Sequence, residues 1–168
     1  MNIDFKKVLY FVVIIIIQCI MDNYVDLGIY TRIVLLPYLI LILPYRYRTI
    51  GTMVLAFCIG LIVDIFTTGI LGLNAGALVS VAFVRQKMLH AIIGERNMER
   101  HDSPDFKVMG LGKSSFYILT PYFLYFTLYT IVDNFGLAPA VITIPKILIS
   151  TAVSGVACLL LFKKHKKI

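Results

Sequence analysis

The side chain best placed to do chemistry is a lone carboxylate. Asp64 is the one acid in the run from Leu43 to Val84, LPYRYRTIGTMVLAFCIGLIVDIFTTGILGLNAGALVSVAFV. An ionisable group at membrane depth is expensive, so it must face protein or a water-filled cavity. Such a carboxylate could hold a proton or a cation, or pair with a cation on another helix; Lys146 and Arg32 are the candidate counter-charges. It could equally cap polar groups at the short turn that follows, through Thr67, Thr68 or Asn74. The cap is the favoured reading, because Asp64 lies within one turn of the end of its segment.

Other reactive residue types form no recognisable constellation. His90, His101 and His165 sit in or near basic stretches without acidic or cysteine neighbours at ligand spacing, so no metal site is expected. His101-Asp102-Ser103 matches a triad only as letters, since adjacent residues cannot converge. Cys19, Cys58 and Cys158 fall inside apolar segments and read as small packing residues. Gly69, Gly72 and Gly76 follow no strand and lack the lysine-serine pair of a phosphate loop; they read as turn and packing residues. No nucleophile with a partner, metal motif or nucleotide loop emerges. The expectation is a non-enzyme without a cofactor.

The elements that must position Asp64 are membrane helices. The chain has 168 residues, 60% of them apolar and 15% charged, with a mean hydropathy of +0.89. A soluble domain is roughly half apolar and about a quarter charged. The expected class is therefore all-α: a single polytopic domain over residues 1–168, with six transmembrane helices in a compact bundle. At about 20 residues per span, six spans leave no room for a soluble catalytic domain. The net charge of +7 is spread around the apolar runs, a pattern that sets orientation; nucleic acid is not an expected partner.

The expected spans are 8–21, 32–45, 50–66, 70–84, 115–132 and 141–162. The first, VLYFVVIIIIQCIM, lacks a small-residue cleavage site and reads as an uncleaved span, with Gln18 bonding a neighbour or lying near the outer surface. The external turn after it carries Asp22 and Asp26. Pro37 interrupts the second and predicts a kinked or broken helix, and Pro44 ends it. In the third, Thr52, Ala56, Gly60 and Asp64 share one helical face, a small-residue seam of the kind that lets helices approach closely in lipid. In the fourth, Gly72, Gly76 and Ser80 share a face. A tightly packed hairpin with a carboxylate at its closed end follows.

Residues 85–113 read as a cytoplasmic or interfacial connection. Val84, Met88, Ala91 and Ile92 recur against Arg85, Lys87, Glu95 and Arg96, which suggests a helix leaving the membrane along anionic headgroups. The fifth span is rich in aromatics, and Asp133, Asn134 and Gly136 make the last external turn. The sixth carries Ser150, Ser154 and Cys158 on one face and ends in KKHKK. Of the 16 basic residues only Arg32 and Lys146 fall outside the presumed cytoplasmic side, which puts both termini inside.

Leu43-Pro44, Arg46, Gly51, Phe57, Gly60, Asp64, Gly69 and Leu71-Gly72, in that order and spacing, resemble the rod shape-determining MreD family of the bacterial inner membrane. The connection from Arg85 to Lys113 departs from it by being long. The resemblance implies a fold similar to the substrate-capture subunits of energy-coupling factor (ECF) transporters. It also implies a non-enzymatic scaffold in peptidoglycan elongation, working with a single-span MreC-like protein, an MreB-like filament, a RodA-type glycosyltransferase and its transpeptidase. Pro44, Gly51, Gly60, Asp64, Gly69, Gly72, Asn74 and Gly76 would then serve shape or partner contact. An alternative expectation is a small-molecule substrate-capture subunit, with Asp64, Asn74, Arg32 and Lys146 lining an externally open pocket. Against it, the first span has no alanine for the Ala-x-x-x-Ala docking face of such subunits.

Overall fold

A computed structural model describes residues 5–24, 28, 31–45, 47–93, 104, 106–133 and 139–164. Expectations at Asp26, Arg46, Glu95, Arg96, His101–Ser103, Asn134, Gly136 and His165 lie outside the described residues. The described chain is helical, with no strand: α1 Phe5–Tyr24, α2 Leu36–Leu41, α3 Thr49–Phe66, α4 Leu73–Ile93, α5 Phe106–Asp133 and α6 Ala140–Lys164.

Three described helices are long and apolar enough to cross a membrane: Thr49–Phe66, Met109–Asp133 and Val141–Phe162. The apolar part of α1, Val8–Tyr24, is shorter. Outward faces are apolar, as lipid-facing surfaces are: Leu9 and Ile16 on α1, Val54 and Ile65 on α3, Phe116 and Phe123 on α5, Val141 and Leu160 on α6 are all exposed. The architecture is that of a membrane-protein helical bundle.

At its centre lies the segment expected to form the second span. Only Leu36–Leu41 is helical there, and all six residues are buried. At about 1.5 Å per residue, six residues reach roughly 9 Å, far short of a bilayer. Pro37 occupies the first turn, where a missing N–H is no loss. It starts this helix and puts no kink in a longer one. Residues 31–35 run non-helical into α2 from one end of the bundle, and 42–45 leave it at the other.

The third helix matches its expected bounds within one residue, and Thr52, Ala56, Gly60 and Asp64 are all buried, as their spacing requires. The fourth helix corrects the reading of its second half. It runs unbroken to Ile93, and Arg85, assigned to the headgroup region, is only 1% exposed. Lys87, by contrast, is exposed, with its ammonium 4.7 Å from the centre of the Phe83 ring. In α5 the helix breaks at Gly110, whose φ of 72° and ψ of 171° are non-helical and suit glycine.

Candidate functional site

The bundle's main polar node is the Asp64 carboxylate, which is fully buried. Oδ1 accepts from the backbone N–H of Asn74 at 2.9 Å and from Asn74 Nδ2 at 2.8 Å. Oδ2 accepts from the N–H of Gly72 at 2.9 Å and of Ala75 at 3.3 Å. Thr68 Oγ1 adds a longer contact to Oδ1 at 3.5 Å. These backbone donors belong to the first turn of α4 and the residue just before it. They are the N–H groups a helix start leaves without intrahelical partners, and a carboxylate is favoured at that end by the helix dipole. Asp64 thus caps a helix from a neighbouring one. Of the expected partners, Thr68 and Asn74 bond it, while the Thr67 hydroxyl donates to the Val63 carbonyl.

The turn is shaped for this. Gly69 and Gly72 have φ of 66° and 100°, values that L side chains rarely adopt. At Gly60, one helical turn before Asp64, the backbones of α3 and α4 approach closely: a Cβ there would lie 2.4 Å from the Ala75 Cα. Gly76 and Gly51 do not share that role. Both are exposed, with nothing within 4 Å of an added Cβ. The seam on α4 is Asn74 and Ala75, because the cap rotates those residues toward α3. Pro44 contributes its carbonyl, which accepts from Arg85 Nη2 at 3.5 Å.

From Asn74 the polar contacts continue across the bundle. The Tyr125 hydroxyl donates to Asn74 Oδ1, the Tyr125 ring stacks on Tyr129, and the Arg32 guanidinium lies 4.3 Å over the Tyr129 ring. Arg32 pairs with Asp22 at 3.1 Å. Lys146 pairs with Asp133 at 3.7 Å. Neither expected counter-charge bonds Asp64, since each has its own carboxylate. The Asp64 bonds come from neutral donors.

Sequence reasoning identified individual members of a second arrangement without the whole. The backbone of 32–35 is partly buried among helices, with Val34 fully so, and N–H and C=O groups shielded from water need partners. Gln18 Oε1 accepts from the Leu35 N–H at 2.7 Å, and Gln18 Nε2 donates to the Ile33 carbonyl at 3.3 Å. Ser154 Oγ accepts from the Val34 N–H at 3.1 Å and donates to the Arg32 carbonyl at 3.2 Å. Ser150 Oγ accepts from the Arg32 N–H at 3.0 Å. At the far end of α2, Tyr117 donates to the Leu41 carbonyl at 3.0 Å and Arg85 to the Leu43 carbonyl. The signal for the first half was polar residues facing inward, Gln18 on α1 and the Ser150–Ser154 pair on α6. Nothing local marked the second.

A groove of about 460 Å³ lies between α1 and α3 on the outside of the bundle, lined by residues that include Val12, Ile16, Cys19, Ile20, Ile62 and Phe66. Asn23 closes one end by donating to the Cys19 and Phe66 carbonyls. No cluster of metal-ligating side chains occurs among the described residues. Comparisons with protein-family models, with curated proteins and with solved structures found no match.

Proposed function

We propose that this chain is a non-enzymatic membrane scaffold of the MreD type, seating the transmembrane helix of a single-span MreC-like partner in the groove between α1 and α3. On this reading it resides in the bacterial cytoplasmic membrane with both termini inside. It would help assemble the peptidoglycan elongation machinery with an MreB-like filament, a RodA-type glycosyltransferase and its transpeptidase. The observation that carries the reading is the long apolar groove on a bundle whose Asp64 carboxylate is spent on capping. The groove's branched side chains offer a surface for van der Waals packing, a main source of helix association in lipid. The Asp64 cap keeps the hairpin in shape.

The alternative of small-molecule capture finds less support. Asp64 and Asn74 are fully buried and bonded to each other, and Arg32 and Lys146 are paired elsewhere.

The test is crosslinking in native membranes, followed by purification through a C-terminal tag. The wild type and a control with Leu160→Trp on α6 should recover a single-span periplasmic protein with wall-synthesis enzymes. Ile16→Trp, which fills the groove, should lose them while still folding. Recovery of an ATPase pair with a larger membrane coupling subunit would replace this reading with the transporter one.

A further inference from the structure

The groove between α1 and α3 is apolar along its length and polar at one end. Asn23 stands at that end, four residues after Cys19 and on the same face of α1. Its Nδ2 spends both hydrogens, on the Cys19 carbonyl at 2.9 Å and the Phe66 carbonyl at 3.1 Å. Both partners are acceptors, so the amide nitrogen must face them and Oδ1 points elsewhere. Asn23 is exposed, and its Oδ1 accepts no bond from a described residue.

The Asn23–Phe66 bond also joins the last turns of α1 and α3. Both helices end here in the same sense, so the carbonyl ends of two dipoles meet at this mouth of the groove. Neither last turn holds a basic residue, although a cation is what such an end favours. Asp22, one residue earlier, directs its charge inward: its side chain is 5% exposed and pairs with Arg32.

The depth of this mouth matters. Helix α3 has 18 residues, about 27 Å at 1.5 Å each, against a hydrocarbon core of about 30 Å. It starts beside exposed Arg48, so Phe66 and Asn23 lie at the opposite rim of the core. There the open Oδ1 can meet water until a helix covers it. A helix seated in the groove removes that water, and an acceptor left bare is costly. An apolar helix end would strand it, whereas a donor would replace the water.

We infer that the span seated in this groove carries a lysine or arginine at the Asn23 end, donating to Asn23 Oδ1. The cation answers the two carbonyl ends as well as the open acceptor. Its apolar stem can run along the groove while the charged head stays at the rim. The branched walls supply contact area, and this one polar bond sets the height at which the span rests. The inference relies on the groove being the seat of a transmembrane helix, and adds the chemistry that selects the occupant.

Binding is measured in phosphatidylcholine vesicles by energy transfer between labelled synthetic spans and a fluorophore on a C-terminal tag of the full chain. The spans are leucine-alanine helices of about 20 residues, flanked at both ends by lysine, by trimethyllysine or by glutamate. Trimethyllysine keeps the charge and loses the donor. Lysine flanks should bind about five- to tenfold tighter than trimethyllysine flanks, the scale of one interhelical hydrogen bond to a charged group. Glutamate flanks should bind weakest.

Asn23→Leu and Asn23→Asp both lose the two bonds that Nδ2 donates, but only Asn23→Leu loses the acceptor. The preference for lysine over trimethyllysine should vanish in Asn23→Leu and persist or grow in Asn23→Asp. Equal binding of lysine and trimethyllysine spans, blocked by Ile16→Trp, overturns this inference and leaves the groove as a helix seat. No binding at all, or binding that Ile16→Trp does not block, overturns both. A lysine preference that survives Asn23→Leu, or that disappears in both Asn23 variants, also overturns the inference.

Discussion

Asp64 and Asn74 hold each other through two bonds to one oxygen, 2.9 Å from the Asn74 backbone N–H and 2.8 Å from its side-chain nitrogen. One residue therefore fixes both where α4 begins and how it is rotated. Asn74 then presents its own oxygen to Tyr125, so the cap that closes the hairpin also positions α5.

Removing that carboxylate should destabilise the bundle in steps. Asp64→Ala leaves the N–H groups of Gly72, Asn74 and Ala75 without their acceptor, at about 1–3 kcal/mol for each buried group left unpaired. Asp64→Asn keeps one acceptor oxygen and should lose less. Unfolding in mild detergent, followed by helical circular dichroism, should rank wild type above Asp64→Asn above Asp64→Ala. Equal stability for all three would return Asp64 to the list of functional acids.

The glycines should separate cleanly. Gly60→Ala forces a methyl against the Ala75 backbone, which cannot move aside as a flexible side chain could. The loss should reach or exceed the roughly 1–3 kcal/mol typical of overpacking. Gly76→Leu projects into open space and should stay within about 0.5 kcal/mol of wild type. The same unfolding assay reads both, and a Gly60→Ala protein as stable as wild type would remove the close approach from the account.

These two residues also show how far sequence alone reaches. The i, i+4 spacing of Thr52, Ala56, Gly60 and Asp64 revealed the buried face of α3, because a helix of regular length converts spacing directly into a face. Gly72, Gly76 and Ser80 obey the same arithmetic, yet α4 is turned by its cap so that Asn74 and Ala75 face α3. Spacing gives a face and leaves open which way it points. The second segment was harder still. A continuous apolar run reads as a span, whether it crosses a bilayer or forms a six-residue core helix, and the difference lies in side chains from α1, α4, α5 and α6.

The non-helical stretch before α2 should depend on Gln18 and Ser154 together. Gln18→Leu strands the Leu35 N–H, and Ser154→Ala strands the Val34 N–H and the Arg32 carbonyl. Each should cost about 1–3 kcal/mol. Because both hold neighbouring residues of one strand of backbone, the double variant should lose less than the sum of the singles. Strict additivity would mean that the two clasps act on independent pieces of structure.

Arg85 makes the sharpest distinction between a buried and an interfacial cation. At an interface, Arg85→Gln would remove an exposed charge and change stability by only a few tenths of a kcal/mol. In this fold the guanidinium reaches the Leu43 and Pro44 carbonyls just beyond the C-terminal end of α2, where a helix dipole favours a positive charge. Arg85→Gln should therefore destabilise by about 2–4 kcal/mol, as charged hydrogen bonds and a buried cap are lost together. Arg85→Lys should recover only part of the loss, since a single ammonium lacks the planar spread of a guanidinium. A control at exposed Lys87→Gln, two residues along the same helix, should be close to neutral. Comparable losses at 85 and 87 would place both cations at the surface and dissolve the clasp on α2.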